Sequence, residues 1–142
     1  MKRAIIYCLI LGSLWFAPVK EAEIAKLEPV QAVWVYRDNG EVVMETDTED
    51  VGSGATVEEA LSDMKQNSVG IIYLDTAEFL LIAEGMQQQI PAMAQYLKES
   101  VKVCAWDGQG SVTDAAKYMD AHKIGSKLGN WSPAVKLPNL TL

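Results

Sequence analysis

Strand-length apolar runs alternate with capped helical stretches between residues 23 and 123, and this alternation predicts an α/β (or α+β) domain. Three observations carry the prediction. Asn39-Gly40 separates two β-rich runs, Val30–Tyr36 and Glu41–Thr46, and is a strong short-range hairpin signal. Thr56-Val-Glu-Glu59 fits a capping box at the head of a helix. Downstream, apolar strand-like runs recur at Ile71–Leu74, Glu78–Ala83 and Val101–Trp106, with helical stretches between and after. A mixed sheet of about four or five strands follows, with an N-terminal β-hairpin and about three covering helices.

Taken in order, Ala22–Glu28 is a charged approach to the first strand, Val30–Tyr36, which is rich in β-branched and aromatic residues. Arg37-Asp38-Asn39-Gly40 supplies residues that tolerate positive φ, and the second strand runs to Thr46. Asp47–Gly54 reads as an acidic, glycine-containing loop. Val57, Ala60, Leu61 and Met64 then repeat at one-face helical spacing, so the first helix is expected to end near Asn67 or Gly70. Asp75-Thr76-Ala77 forms a bend between two short strands. Met86–Ser100 is expected to be helical, interrupted or restarted at Pro91, a residue comfortable only in a first turn. Asp107-Gly108-Gln109-Gly110 closes the strand Val101–Trp106, and Thr113–His122 forms the last helix with Ala115, Ala116 and Met119 on its apolar side. Residues 124–142 show no periodicity and are expected to drape over the domain as a tail or to hang free of it.

The chain opens with Lys2 and Arg3, and Ala4–Val19 carries no charge. This is the pattern of an export signal, so residues 1–22 are read as a signal peptide or N-terminal membrane anchor. As a helix, Ala4–Val19 spans about 24 Å at ~1.5 Å per residue, short of a hydrocarbon core of ~30 Å, which favours cleavage. The poor cleavage sites around Ala17 and Ala22 leave anchoring open. The charge order places the body outside the cytoplasmic membrane in either case. Without residues 1–19 the 12 basic and 19 acidic residues become 10 and 19, a net charge of −9. That balance argues against nucleic acid and anionic membrane surfaces as partners, leaving membrane contact to the N-terminal segment.

Cys8 and Cys104 fall on opposite sides of the membrane boundary, so no structural disulfide is expected. The residues before Cys8, Ile5-Ile6-Tyr7, lack the small residue that lipoprotein processing requires. His122 is the single histidine and sits near a helix C-terminus, where the dipole favours it. A catalytic reading would pair it with Cys104 as base and nucleophile, whereas a mid-strand cysteine reads first as a buried hydrophobe. Asp47, Glu49, Gly52 and Glu58 fall at calcium-loop spacing, but Val51 occupies a ligand position and a strand precedes the loop. Asp75 and Glu84 flank a strand and are candidates for a carboxylate pair. Trp34 and Tyr36, together with Asp75 and Glu84, form the candidate interaction surface, with no catalytic residue, metal ligand or cofactor assigned.

The run from about Val30 to His122 resembles the N-terminal domain of the Ger(x)C family, the lipoprotein C subunit of bacterial spore germinant receptors. The resemblance is carried by the N-terminal strand pair, Gly54-Ala-Thr-Val-Glu-Glu-Ala60 opening a helix, and Ile72-Tyr-Leu-Asp75 followed by Leu80-Leu-Ile-Ala-Glu84. Val101–Trp106 and the last helix complete it. It implies a non-catalytic extracytoplasmic domain in a spore-forming bacterium, contacting a protein partner such as membrane-embedded receptor subunits, with a role in sporulation or germination. The alternatives are a small extracytoplasmic enzyme and an ion- or solute-binding module using the acidic loop 47–58.

Overall fold

The computed structural model describes residues 27–68 and 70–141. The export segment, residues 1–22, and Cys8 lie outside the described residues. Three parallel strands form the centre of a seven-stranded mixed sheet: β2 (Ala32–Asp38), β6 (Phe79–Ile82) and β7 (Lys102–Trp106), hydrogen-bonded in that order. On one side β3 (Glu41–Thr46) runs antiparallel to β2, and β4 (Val51–Gly54) antiparallel to β3. On the other side β8 (Ser126–Lys127) and β9 (Asn139–Leu140) share the outer edge of β7, one antiparallel and one parallel. A separate parallel ribbon joins β1 (Leu27–Pro29) to β5 (Ile71–Tyr73).

The hairpin forms where Asn39 and Gly40 adopt φ of 50° and 80°, the paired positive values that match the twist of the flanking strands. Its register sets Trp34 opposite Glu45 and Tyr36 opposite Val43. The first helix, α1 (Val57–Asn67), starts at Thr56, whose hydroxyl oxygen accepts from Glu59 N at 3.2 Å. Glu59 reaches back to Ala55 N at 2.9 Å, one residue beyond the amide expected of a capping box. Val57, Ala60, Leu61 and Met64 are buried, and Leu61 and Met64 contribute about 2 kcal/mol each on removal from water. The helix lies so close to β4 that a Cβ on Gly52 would run into the Ala60 carbonyl oxygen and the Met64 backbone.

The sheet is covered on both sides. One face carries Val33, Val35, Met44, Leu80, Ile82 and Val103, packed against α1 and against α2 (Ile90–Ala94) through Ile90 and Met93. The other carries Ala32, Phe79, Leu81, Cys104 and Trp106, packed against Val112, Ala115, Ala116 and Met119 of α3 (Val112–His122). Ser111 caps α3 by accepting from Asp114 N at 3.1 Å, and Lys123 ends it with φ of 53°. Thr113 Oγ1 ties the head of α3 to the Asp47 carbonyl at 3.1 Å.

The mixed α/β architecture with its hairpin and three helices follows the sequence expectation, and three local features differ. The stretch 86–100 breaks near Pro91 as expected, but its helix ends at Ala94 rather than near Ser100. It is a 3₁₀ turn at Gln87–Gln89 followed by the five-residue α2. Pro91 has no amide to bond to Gln87, and neither short helix has a side-chain cap, so nothing joins or extends them. The acidic loop ends sooner than expected, because Val51–Gly54 pairs with β3 as an edge strand. The strand at 71–73 leaves the main sheet and pairs with β1. Residues 124–141 drape over the domain, one of the two expected arrangements, with Leu128, Leu137 and Leu140 buried and two short segments paired with β7.

Candidate functional site

The connection after β6 passes through α2 on one face of the sheet, and the connection after β7 passes through α3 on the other. Neighbouring parallel strands whose outgoing chains part in this way leave a crevice beyond their carboxyl ends, the usual ligand position in open α/β sheets. Here that crevice consists of two adjoining hollows. One, of about 370 Å³, is lined by Trp34, Tyr36, Arg37, Ala83, Glu84, Gly85, Met86 and Asp107. The other, of about 240 Å³, is lined by Glu84, Ala105, Trp106, Asp107, Asn139, Leu140 and Thr141. Glu84 and Asp107 belong to both.

The sheet register places these two residues at matching positions beyond the paired strands. Ile82 on β6 lies opposite Ala105 on β7, and Glu84 and Asp107 each follow two residues later, where the strands have ended. Both side chains are exposed. One oxygen of Asp107 accepts from Gln109 N at 3.0 Å, bending the chain into the glycine-rich loop that leads to α3.

An aromatic row floors the crevice. Trp34 and Tyr36 project from the same face of β2 and stack at 4.0 Å between ring centroids, inclined by 25°. Trp106 leans on Trp34 across β6 at 4.8 Å and 60°. Trp106 is only 2% exposed, and the indole Nε1 of each tryptophan has no hydrogen-bond partner among the described residues. The tilted contact presents the ring of one to the edge of the other, a geometry favoured by the aromatic quadrupole. Gly108, with φ of 88°, closes over the row: a Cβ there would stand 2.5 Å from Trp34 Cζ2.

The electrostatic setting is negative. The Tyr36 hydroxyl donates to Glu45 Oε1 at 3.2 Å. Burial pushes its pKa up to about 12, and the charge and hydrogen bond of Glu45 and the charge of Asp38 add to the shift. Arg37 is the one basic side chain lining either hollow, and its guanidinium donates to the Gly40 carbonyl at 3.2 Å.

Of the candidate surface, Trp34, Tyr36 and Glu84 come together in this crevice. Asp75 does not. It lies before β6, in a hollow of about 380 Å³ with Thr76, Glu78, Lys98 and Ser100. Asp75 and Glu84 are therefore separated by the length of β6 (Phe79–Ile82) and do not form a carboxylate pair. A further hollow of about 340 Å³ also lies at the starting ends of β6 and β7, lined by Phe79, Lys102, Asp120, Lys123 and others.

Cys104 is fully buried on β7, and burial raises its thiol to about 11. His122 is exposed on α3 and stacks on Tyr118 at 4.2 Å. No hydrogen bond joins the two among the described residues, and the thiolate a nucleophile needs is disfavoured. In the acidic loop Asp47 Oδ1 accepts from Gln31 N and Ala32 N at 2.9 and 3.2 Å. Asp50 accepts from Thr48 at 2.8 Å, whereas Glu58 faces outward from α1. No cluster of three His, Cys, Asp or Glu side chains suited to a metal ion occurs among the described residues.

The residues missing from the sequence reading are Asp107, Trp106 and Gly108. Their signal was Trp106-Asp107-Gly108 at a strand end, and it required the register of β6 and β7 to give it meaning. Comparison of the chain with protein-family models, curated proteins and solved structures gives no match.

Proposed function

We propose that this chain is an exported, non-catalytic binding domain that engages a protein partner through the crevice beyond β6 and β7. The observation that carries the reading is the hollow that Glu84 and Asp107 share with the stacked Trp34 and Tyr36 where the sheet connections part. Aromatic side chains with a polar rim are the composition of recognition surfaces. The export address rests on Lys2-Arg3 followed by the uncharged run Ala4–Val19. The role in sporulation or germination rests on the resemblance of residues 30–122 to the Ger(x)C N-terminal domain, and membrane-embedded receptor subunits are the partner class it suggests.

A second reading is acid–base catalysis, favoured by the presence of Glu84 and Asp107 in the lining of both hollows. Paired carboxyls in enzymes draw on burial to divide the acid and base roles, and both of these side chains are exposed. Binding is therefore the better-supported function.

The test is photo-crosslinking in the host. A photoreactive amino acid at position 84 or 107, but not at position 58 on the exposed side of α1, is expected to yield a discrete adduct with an envelope protein. Adducts at position 58 alone, or none at the crevice through growth and sporulation, would overturn the assignment.

A further inference from the structure

We propose that β9 holds the place of a partner's strand: residues 137–141 open as a strap hinged at Lys136, and an extended segment of the protein partner pairs in parallel with the freed edge of β7. This deepens the binding function proposed above and rests on it, because Asn139, Leu140 and Thr141 form one wall of the crevice's smaller hollow. The strap is held by little. Its ladder has two residue pairs, Ala105 with Asn139 and Trp106 with Leu140, and Ala105 N donates to the Pro138 carbonyl at 2.9 Å. Leu137 and Leu140 are its two apolar anchors, one packed with Val103 and Ala105 and the other with Cys104 and Trp106 on the opposite face of the sheet. The chain before them is exposed from Ser132 to Lys136. Ser132–Val135 stays behind when the strap opens, since Val135 N donates to the Ser132 carbonyl at 3.0 Å and Pro133 and Val135 share a hollow with Trp131. The earlier grip on the edge is independent: β8 pairs with Lys102 and Val103, and Leu128 N donates to the Val101 carbonyl at 2.8 Å. A terminal element with so few ties opens without unfolding the domain.

The seat under β9 is also incompletely used. Trp106 stands opposite Leu140 and is 2% exposed, yet its indole Nε1 has no hydrogen-bond partner among the described residues. A buried donor left without an acceptor costs free energy, and β9 supplies none. An incoming segment with a hydroxyl or amide oxygen at this point gains a bond that the strap lacks. The strap itself shows the rest of the chemistry the seat accepts: a backbone parallel to β7, with aliphatic side chains three residues apart that drop onto opposite faces of the sheet. Because β9 runs with β7, a longer strand in its place continues past Trp106 toward Asp107 and enters the crevice.

The test begins with hydrogen exchange on the full chain in a neutral detergent. The Ala105 amide and the Trp106 indole N–H are expected to be protected at least about tenfold less than the Ala83 amide, which donates to the Val35 carbonyl at 2.9 Å within the sheet. Equal protection of all three overturns the strap. Ala105→Cys with Asn139→Cys, in a chain that also carries Cys8→Ser and Cys104→Ala, ties β9 to β7 on oxidation, since the two positions are register partners. A synthetic peptide of residues 136–141 then serves as the incoming strand, and the same peptide with alanine at 137 and 140 is the control. The reduced protein is expected to bind the peptide at least about tenfold tighter than the oxidised protein, with a shift of the Trp106 indole resonance, and to ignore the control. Equal binding by the two forms, or equal binding of the two peptides, overturns the proposal. Pairing of the full chain that rises with concentration and stops on oxidation identifies a second copy as the occupant and overturns the assignment to a partner. A crosslink at position 84 in the host together with a strap that does not open would sink this inference and leave the protein-binding function standing.

Discussion

Gly108 and Gly40 offer a matched pair of substitutions that isolates the packing of the aromatic row. Both glycines hold positive φ, 88° and 80°, so alanine at either position incurs a backbone cost of about 1 kcal/mol. At Gly40 nothing lies within 4 Å of the new Cβ, and the backbone cost is the whole effect. At Gly108 the Cβ falls 2.5 Å from Trp34 Cζ2. That ring has little freedom to move, being stacked on Tyr36 at 4.0 Å and leaned on by Trp106 at 4.8 Å. Overpacking of this kind costs about 1–3 kcal/mol beyond the backbone cost. At about 4 °C per kcal/mol for a domain near this size, Gly40→Ala lowers the melting temperature by about 4 °C and Gly108→Ala by about 8–16 °C. Thermal denaturation followed by circular dichroism measures both, and the near-ultraviolet signal of the coupled indoles should change only in Gly108→Ala. Equal melting temperatures for the two variants, with the near-ultraviolet spectrum intact, would refute the packing of the loop on Trp34.

Three further outcomes are expected. Thr56→Ala removes the cap of α1 and lowers stability by about 1 kcal/mol in denaturant titration, with no change in the slope of the transition; a neutral result would mean the cap bond contributes nothing. Stability should fall between about pH 9 and pH 12, because the folded chain keeps protons on Cys104 up to about 11 and on Tyr36 up to about 12, whereas the unfolded chain releases them at their ordinary values. Cys104→Ala should flatten the lower part of that fall, and native Cys104 should resist thiol reagents that label it rapidly in denaturant. Millimolar calcium should not move the melting temperature, since Asp47 is engaged by the Gln31 and Ala32 amides and Asp50 by Thr48; a clear upward shift would revive the ion-binding loop.

The hairpin, α1, β6, β7 and α3 were legible in the sequence because local chemistry fixes each: Asn39-Gly40 for the turn, Thr56 for the cap of α1, the apolar spacing of Ala115, Ala116 and Met119 for α3, and unbroken apolar runs for the buried strands. The stretch 86–100 was legible only in its break at Pro91. Its apolar residues repeat at nearly helical spacing, but Pro91 and the lack of capping side chains divide it, and the packing of Tyr96 and Leu97 against the core holds it in turns. The edge strands β4, β8 and β9 are two to four residues long and draw their stability from partners already in place, a signal that no local window contains. The crevice was half legible. Trp34, Tyr36 and Glu84 are visible as strand-end aromatics and an acid, and the parallel register that sets Asp107 level with Glu84 depends on pairing between strands about twenty residues apart.

The most direct test of the crevice is the ¹H–¹⁵N spectrum of the tryptophan indoles as the envelope protein captured by crosslinking at position 84 is added. Trp34 and Trp106 report on the crevice, while Trp131 reports on a separate hollow lined by Gln87, Gln88, Pro91, Pro133 and Val135. The account predicts saturable shifts of the Trp34 and Trp106 resonances, a stationary Trp131, and no such shifts in the Glu84→Gln, Asp107→Asn variant. Shifts confined to Trp131, or no saturable shift at either crevice indole, would contradict it.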